Sequence, residues 1–575
     1  MSRWTASRAC LKHSVPPNDR LASEGAFLMV AVLLLLCLAV SALLARFWLQ
    51  KRYRTRLASL MNFESVRERP KAWWDRSPFV LTDAPGSDSG IPQAEAVSGS
   101  PDSAALRRAQ LRITLATLAA WLSFGLGAWL SARLSMGQPS VPLQMSVFAG
   151  TLLATLGLVL ANLPPTAARW KTACVALGAA IGLVIAMCQP TWEEFASALL
   201  FLGAWMALHL LGSRSLLRAL WLLLSLGLLG AVVPALLLEP LGGDCLQQAA
   251  AKGEASVAGA MATGLVMSLV VLGLCLAFRC ISGLANALAR GWLGEVSATV
   301  LLDLILVAGV LVAILRSSIE ESSAGKLLSA GEILADLSTG LGLTLLCLGL
   351  AVAAYALVLR MVPALPYAGR HLLVLRVFSK DEKQHRFLDL LQAHWRYLGP
   401  VSQIGGPDLA PRNIGMFVSL MFLSGRLYEL FLPQAAEAQR LRKRLQLSPD
   451  AEGRFRVNEV FCFNTAWQGT VEQLMQLADV IVLDLRGFCA QRKGTGFEIE
   501  ALLRAGLLPR VWVLQDRHTC WADVQTLLDE ASKRAGADSP LRFSEQQCWD
   551  CDARARPYQH KAVQDLVSRL LRTQA

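Results

Sequence analysis

Apolar runs of bilayer length recur along the first 360 residues and restrict the fold of this chain more than any other feature. A hydrocarbon core about 30 Å thick is crossed by roughly 20 helical residues. Helices suit that environment because they satisfy their own backbone N–H and C=O groups without water. About nine segments have the required length: 26–45, 113–132, 143–163, 173–188, 195–211, 216–238, 257–278, 296–315 and 337–359. The fourth and fifth are short, and could instead form a re-entrant pair or one tilted hairpin. With 54% hydrophobic and 17% charged residues among 575, the chain is too apolar for a soluble protein and too long for one domain.

Charge sets the expected orientation, because cytoplasmic loops carry the excess of Lys and Arg. Lys51, Arg52, Arg54 and Arg56 fall on one side of the alternating segments, together with Arg169, Lys171, Arg214, Arg218, Arg279, Arg290, Arg360 and Arg370. Acidic loops such as "QPTWEE" and "SSIEESSAGKLLSAGEILAD" fall on the other. The C-terminal part is therefore expected in the cytoplasm, with the lipid bilayer as a partner. An odd number of spans places the N-terminus outside, against the pull of Arg3, Arg8, Lys12 and Arg20. The net charge of +12 is accounted for without a nucleic-acid partner. The run after the polar tail 1–25 ends in Arg and Lys with no small-residue cleavage site, so it reads as a retained helix rather than a signal peptide. The 13 cysteines are scattered, several inside apolar runs (Cys37, Cys174, Cys275, Cys347), and outline no disulfide framework.

Deep ionisable groups, which mark transport pathways, are few. Asp303 lies inside its segment and His209 near a cytoplasmic end; each fits either a relay or a hydrogen bond to a helix end. Gly178 and Gly182 form a GxxxG helix-packing pattern. No internal repeat is evident, which argues against the commonest transporter architectures. These features predict a tail at 1–25, a first transmembrane helix at 26–48, a partly disordered cytoplasmic loop at 49–110, a helical bundle at 111–362 and a cytoplasmic domain at 368–575. The loop assignment rests on "TDAPGSDSGIPQAEAVSGSPDSAAL", rich in Pro, Gly, Ser and Asp, while "RPKAWWDR" nearby reads as a membrane-surface contact.

After Pro363 and Pro366 the period of the sequence changes. Short β-rich runs ("HLLVLRVF", "PVSQIGG", "GRFRVNEVFCF", "ADVIVLDL", "RVWVLQD") alternate with helical patterns ("DEKQHRFLDLLQAHWRYL", "VEQLMQL", "FEIEALLRAG", "WADVQTLLDEASKRAG"). Alternation of this kind predicts a doubly wound α/β domain with a parallel sheet covered on both faces. The apolar "IGMFVSLMFL" is cut short by Arg426 and Glu429 and reads as a buried or membrane-apposed helix rather than a tenth span.

Ligands of such sheets bind beyond the carboxyl ends of the strands. Two loops qualify: "GGPDLAP", with Gly405, Gly406 and Asp408, and "RGFCAQRKGTG" after the strand ending near Asp484. Gly494 and Gly496 would let backbone amides approach a ligand, and a helix beginning at Phe497 would put Glu498 in its first turn, where the helix dipole favours the ionised carboxylate. An ionised carboxylate suits a nucleophile or a stabiliser of a ribosyl oxocarbenium ion; it equally suits a residue that only complements the dipole. Glu500, about 200° further around the helix, cannot face the same pocket. Asp484 could orient a ribose hydroxyl or close a strand-end turn; Arg454, Arg456 and Arg486 could hold phosphates or pair with carboxylates. "CWDC" has the spacing of half a zinc site, yet no second CxxC or paired His completes it, so no metal is expected.

The stretch "ADVIVLDLRGF…GTGFEIEALLRAG…RVWVLQD" resembles the strand, loop and Glu-bearing helix of Toll/interleukin-1 receptor (TIR) domains, and also that of nucleoside 2-deoxyribosyltransferases. The resemblance implies a flavodoxin-like fold, with Glu498 acting on an N-glycosidic bond of NAD or a nucleoside and Gly494, Thr495 and Gly496 lining the ribose. NAD enters as a substrate; no cofactor is implied. This chain departs from those families in having "QRK" where the transferases often carry an acidic residue, and Gly496 and Phe497 where TIR domains carry tryptophan and cysteine. The chain as a whole resembles a group of bacterial membrane proteins, which implies the inner (plasma) membrane. The expected function is thus a membrane-anchored nucleotide-binding domain that cleaves an N-glycosidic bond through Glu498, or else a non-catalytic sensor or scaffold. Homo-oligomerisation through the bundle or the TIR-like domain is a further expectation.

Overall fold

The computed structural model describes residues 47–61, 103–136, 283–301, 330–362, 369–376, 382–405, 415–432, 445–489, 493–534, 542–551 and 560–572, with a few isolated positions between them. Helix α1 covers 47–61, α2 Ser103–Met136 and α3 Ala330–Met361, and two helical stretches, 283–289 and 295–301, lie between α2 and α3 in the chain. Within α2, Arg108–Gly127 is long and apolar enough to cross a membrane, and Leu345–Met361 of α3 is a shorter apolar stretch. These helices carry the runs 113–132 and 337–359. Of 296–315 little beyond its first turns is described, and the other six apolar runs fall almost wholly outside the described residues, as does Asp303.

Packing between α2 and α3 depends on small side chains. Ala116 and Ala120 face Ala351 and Cys347, with Trp121, Phe124 and Tyr355 filling the remaining space. A Cβ on Gly127 would lie 2.8 Å from the Cys347 sulfur, so glycine permits the closest approach there. Leu111, Leu115, Leu118, Leu122 and Leu126 of α2, and Leu345, Leu346, Leu350 and Leu357 of α3, are exposed. Small residues inward and leucines outward invert the arrangement of a water-soluble helix pair.

The C-terminal part is an α/β domain. Strands β1 (Leu372–Arg376), β2 (Val401–Ile404), β3 (Phe431–Leu432), β4 (Val457–Cys462), β5 (Val480–Asp484), β6 (Val511–Gln515) and β7 (Cys548–Asp550) form one parallel sheet in the order β3-β4-β2-β1-β5-β6-β7. "LLVLR", "VIVLD" and "VWVLQ" are continuous apolar runs because both faces are covered. Helices α4 (Glu382–Trp395) and α9 (His560–Arg572) cover one face through Phe387, Leu391, Val563 and Leu566. Helices α6 (Trp467–Leu477), α7 (Lys493–Arg504) and α8 (Trp521–Arg534) cover the other through Leu474, Leu502 and Leu528. Helix α5 (Met416–Leu423) is buried against Ala285, Leu288 and Ala298, which explains its uniformly apolar sequence.

The strand order departs from the flavodoxin-like expectation. Leaving aside the two-residue edge strand β3, the chain builds outward from β1 through β2 to β4, then returns past β1 to add β5, β6 and β7. That is the 3-2-1-4-5-6 pattern of doubly wound dinucleotide folds, whereas a flavodoxin-like sheet reads 2-1-3-4-5. The additional strand β4 makes the difference, and the reversal of direction falls between β1 and β5.

A second departure concerns 49–110. The stretch 47–61 is helical, and Leu49, Tyr53, Leu57 and Leu60, spaced at helical intervals, are buried against Phe431, Phe461 and Phe463 at the sheet edge. Ser103 onward is helical as well. Proline and serine in the middle of the segment masked an apolar stripe at one end; "RPKAWWDR" lies outside the described residues.

The described helices meet the α/β domain at the turn Asp450–Arg454, which contains the left-handed Gly453 (φ 78°) and brings Glu452 to the start of stretch 295–301. The Glu452 carboxylate accepts hydrogen bonds from the Ser297 backbone N–H (2.5 Å) and hydroxyl (2.8 Å) at the start of stretch 295–301, and pairs with Arg454. Arg112 of α2 donates to the Glu452 carbonyl (2.9 Å) and to that of Leu359 in α3 (3.2 Å). A Cβ on Gly294 would overlap the Glu452 carboxyl group. Gly294→Ala is therefore expected to displace that carboxylate and lower stability by about 1–3 kcal/mol, while Gly349→Ala, whose Cβ meets nothing within 4 Å, changes it little. Thermal melting of the full chain in detergent checks both.

Candidate functional site

In a doubly wound sheet the ligand crevice forms beyond the strand ends where the winding reverses, a position that falls here between β1 and β5. Arg376, last residue of β1, is in register with Asp484, last residue of β5. A charged residue at the carboxyl end of a buried parallel strand was the sequence signal for Arg376, and the sequence reading passed over it. Residues 377–381, "VFSKD", follow β1 without a glycine, so the first βα connection is not the glycine-rich pyrophosphate cradle of dinucleotide folds.

Glu498 lies on α7, but not where its sequence placed it. The helix starts at Lys493, so Gly494, Thr495 and Gly496 form its first turn and Glu498 falls in the second. The side chain is buried at 6% exposure, and its Oε2 atom has no hydrogen-bond partner among the described residues. Burial pushes its carboxyl up to about 8, although the Arg376 guanidinium favours the charged form. The expected ionised carboxylate is thereby corrected: at neutral pH the fold holds Glu498 protonated, because loss of water outweighs both the arginine and the more distant helix end. Glu500 points elsewhere and pairs with Arg534 of α8 at 3.0 Å.

Other site residues of the sequence reading separate into three groups. A Cβ on Gly494 or Gly496 would meet Trp467 or Leu527 at ordinary contact distances (4.0 and 3.7 Å), and Thr495 is buried; the three precede Glu498 in the first turn of α7. Asp484 and Arg486 bind each other through two hydrogen bonds of 2.7 Å, and Arg486 stacks over Phe387. Their mutual pairing matches the strand-end turn and carboxylate-pairing roles rather than ribose or phosphate contacts. Gly405 has a packing role, since a Cβ there would overlap the Phe461 ring; Gly406 and Asp408 lie outside the described residues. Among the described residues no group of His, Cys, Asp and Glu could hold a metal, and "CWDC" contributes a strand.

Sequence reasoning missed the charges that surround Arg376. Glu459 on β4 feels Arg376 and Arg456, and burial pushes its carboxyl up to about 8. Arg456 stacks 3.6 Å from the Phe417 ring centroid and lies within electrostatic reach of both Glu459 and Glu295. Glu295, which opens stretch 295–301, pairs with Arg396 at 3.0 Å and accepts a hydrogen bond from the Met416 N–H at 3.3 Å. Arg454 reaches both Glu295 and Glu452. Basic and acidic side chains thus alternate from Arg112 through Glu452, Arg454, Glu295, Arg456, Glu459 and Arg376 to Glu498, the last two acids holding their protons at neutral pH. In the sequence these residues are scattered over almost 400 positions and carry no motif.

No protein-family model, curated protein or solved structure matches this chain. The reading of the site therefore rests on its geometry.

Glu498 titrates near 4.5 in an unfolded chain and at about 8 in the fold. Between those values the folded state holds the extra proton, so stability falls as pH rises from 4.5 to 8. Glu498→Gln removes that loss. The melting temperature of the variant relative to wild type is expected to climb by about 3–6 °C between pH 5 and pH 9. Parallel pH profiles for the two proteins in thermal melts would refute a protonated Glu498.

Proposed function

We propose that this protein is a membrane-anchored signalling protein whose α/β domain binds a nucleoside-type ligand at the β1–β5 crevice without turning it over, and passes the occupancy to the apolar helices. The observation that carries this reading is the line of buried and half-buried charges joining Glu498 and Arg376 to Arg112 of α2. A structural ion pair needs one partner; eight basic and acidic residues in alternating order, two of the acids protonated at neutral pH, reach from the strand ends to the apolar helices, and that contiguity supports a connection between the two. Placement in the bacterial inner membrane, with the α/β domain in the cytoplasm, is supported by the outward leucines of α2 and α3 and by the basic side chains near the domain. The 51–56 segment, the 279–290 segment and the Arg360 end of α3 all adjoin the α/β domain, as one common side requires. The nucleoside class is supported by the crevice position and by the absence of glycine after β1, which disfavours a bound pyrophosphate.

Neutrality of Glu498 favours the non-catalytic reading over a nucleophile. One observation supports catalysis in another form: a protonated carboxyl with an unpartnered Oε2 can hand its proton to a departing base. In that second reading Glu498 is the general acid of N-glycosidic cleavage, and Arg376 stabilises the carboxylate left behind.

The deciding experiment uses the full chain in lipid nanodiscs with NAD and a panel of nucleosides. Calorimetry is expected to show binding of at least one ligand with no product by chromatography. Hydrogen exchange across 283–301 is expected to change several-fold on binding, and Glu452→Gln is expected to abolish that change while sparing the binding. Turnover that disappears in Glu498→Gln would replace the sensor reading with the catalytic one; neither binding nor turnover would remove both.

A further inference from the structure

Six free cysteines lie among the described residues, and two of them differ from the rest in access and position. Cys347 is packed between α2 and α3. Cys462 and Cys551 are buried, and burial pushes both thiols up to about 12; it also raises Cys548. Such thiols are poor nucleophiles because the thiolate is the reactive form. Cys520, in contrast, is exposed, and Cys489 is half-buried.

These two residues come together beyond the carboxyl ends of β5 and β6, although 31 positions separate them in the chain. Cys489 ends the turn that follows β5, and Cys520 ends the turn that follows β6. Three hydrogen bonds zip the two turns: Gly487 N–H to the Asp516 carboxylate, the Thr519 hydroxyl to the Leu485 carbonyl, and Cys520 N–H to the Phe488 carbonyl, each 3.0 Å long. The last of these joins Cys520 directly to the peptide group that carries Cys489. A single peptide-to-peptide hydrogen bond thus holds the two cysteine backbones next to each other, and the disulfide proposed below requires their Cα atoms to lie about 5.5–6 Å apart.

We propose that Cys489 and Cys520 form a reversible oxidation site that takes a peroxide as its oxidant. The exposed Cys520 thiolate attacks one peroxide oxygen and breaks the O–O bond; one water leaves, and the sulfur becomes a sulfenic acid. The Cys489 sulfur then displaces the sulfenic hydroxyl as a second water, forming the S–S bond. Two thiols and one hydrogen peroxide give one disulfide and two waters, the sulfurs losing the two electrons that the peroxide gains. A dithiol reductant returns both thiols by exchange. Cys548 and Cys551, the nearest CxxC pair in sequence, take no part because burial keeps them protonated. The bridge clamps the turn after β5 to the turn after β6 and so fixes the start of the connection into α7, the helix that carries Glu498. The site itself stands whether or not a ligand binds in the crevice, and is tested without one.

The full chain in detergent micelles is treated with a small excess of hydrogen peroxide, capped with N-ethylmaleimide, digested without reductant and mapped by mass spectrometry. A linked Cys489–Cys520 peptide is expected in the wild type and is expected to vanish after dithiothreitol. In Cys489→Ser, Cys520 is expected to proceed to sulfinic and sulfonic acid; in Cys520→Ser, Cys489 is expected to be recovered as the maleimide adduct. Amide exchange over 493–504 in the oxidised wild type is expected to slow several-fold, with no such change in either variant. Recovery of both thiols as separate adducts from the peroxide-treated wild type, or linkage of either to Cys548 or Cys551, would overturn the site. Unchanged exchange despite the linked peptide would overturn the clamp.

Discussion

The attachment of the α/β domain to the helices depends on one carboxylate in an unusual place. Glu452 leaves a surface turn and enters the start of stretch 295–301, where backbone donors have no partner within the helix. A charge removed from water is tolerated only if its lone pairs are occupied, and here they are: Ser297 supplies a backbone and a side-chain donor, and Arg454 supplies a guanidinium. The positive end of the stretch adds a favourable field. Since Arg112 holds the Glu452 carbonyl and the Leu359 carbonyl together, a shift of the turn is felt at once by α2, α3 and the 295–301 stretch. Asp450 at the base of the turn accepts hydrogen bonds from the Glu452 and Arg454 N–H groups. Burial, reinforced by Glu452, pushes it up to about 6, so this junction also responds to mild acid.

At the other end of the charged line, competition between desolvation and attraction sets the chemistry. Arg376 is buried between two glutamates, and one guanidinium cannot keep both ionised in a site with little water. Both carboxyls rise to about 8 rather than falling. The same residue in a first-turn, solvent-facing position would have been a carboxylate. Four residues of extra helix at the front of α7, and the packing of Phe497 against Trp467, turn it inward instead.

The secondary structure of the domain was legible in its sequence because parallel strands buried on both faces leave apolar runs that need no partner to be recognised. The run "ADVIVLDL" gave β5, "RVWVLQD" gave β6, and the period-3.6 stretch beginning "WADVQ" gave α8. Strand order was not legible. Nothing in "VNEVFC" tells that β4 pairs outside β2 and so converts one winding pattern into another. Helix α1 was passed over although Leu49, Tyr53, Leu57 and Leu60 recur at helical spacing, because their partners at Phe431, Phe461 and Phe463 lie nearly 400 residues away. Glu498 was visible as a candidate, but its protonation was not, because burial depends on Trp467, Leu527 and Arg376 arriving from other elements. The three-residue β7 was overlooked because "CWD" is too short to show a period; α9 was overlooked although Val563, Leu566, Val567 and Leu570 recur at helical spacing.

A line of alternating charges transmits only if its members have more than one stable arrangement, and the protonation states supply such a choice. With Glu459 and Glu498 both protonated, Arg376 still favours the charged form of each, and Glu295 and Glu459 both act on Arg456. An anionic or strongly polar ligand in the crevice would draw Arg376 toward the strand ends and leave Glu459 with one fewer cation to stabilise its charge. Glu459 would then hold its proton more firmly, Arg456 would turn to Glu295, and the pairing of Arg396 and Arg454 with Glu295 and Glu452 would readjust. Ionising Glu459 at high pH would pull in the opposite direction. Each step would exchange one Arg–Glu pairing for another, and a ligand could tip the balance only by its differential affinity for the two arrangements. A continuous apolar core in the same place would hold the domain more firmly, and it would have nothing to report.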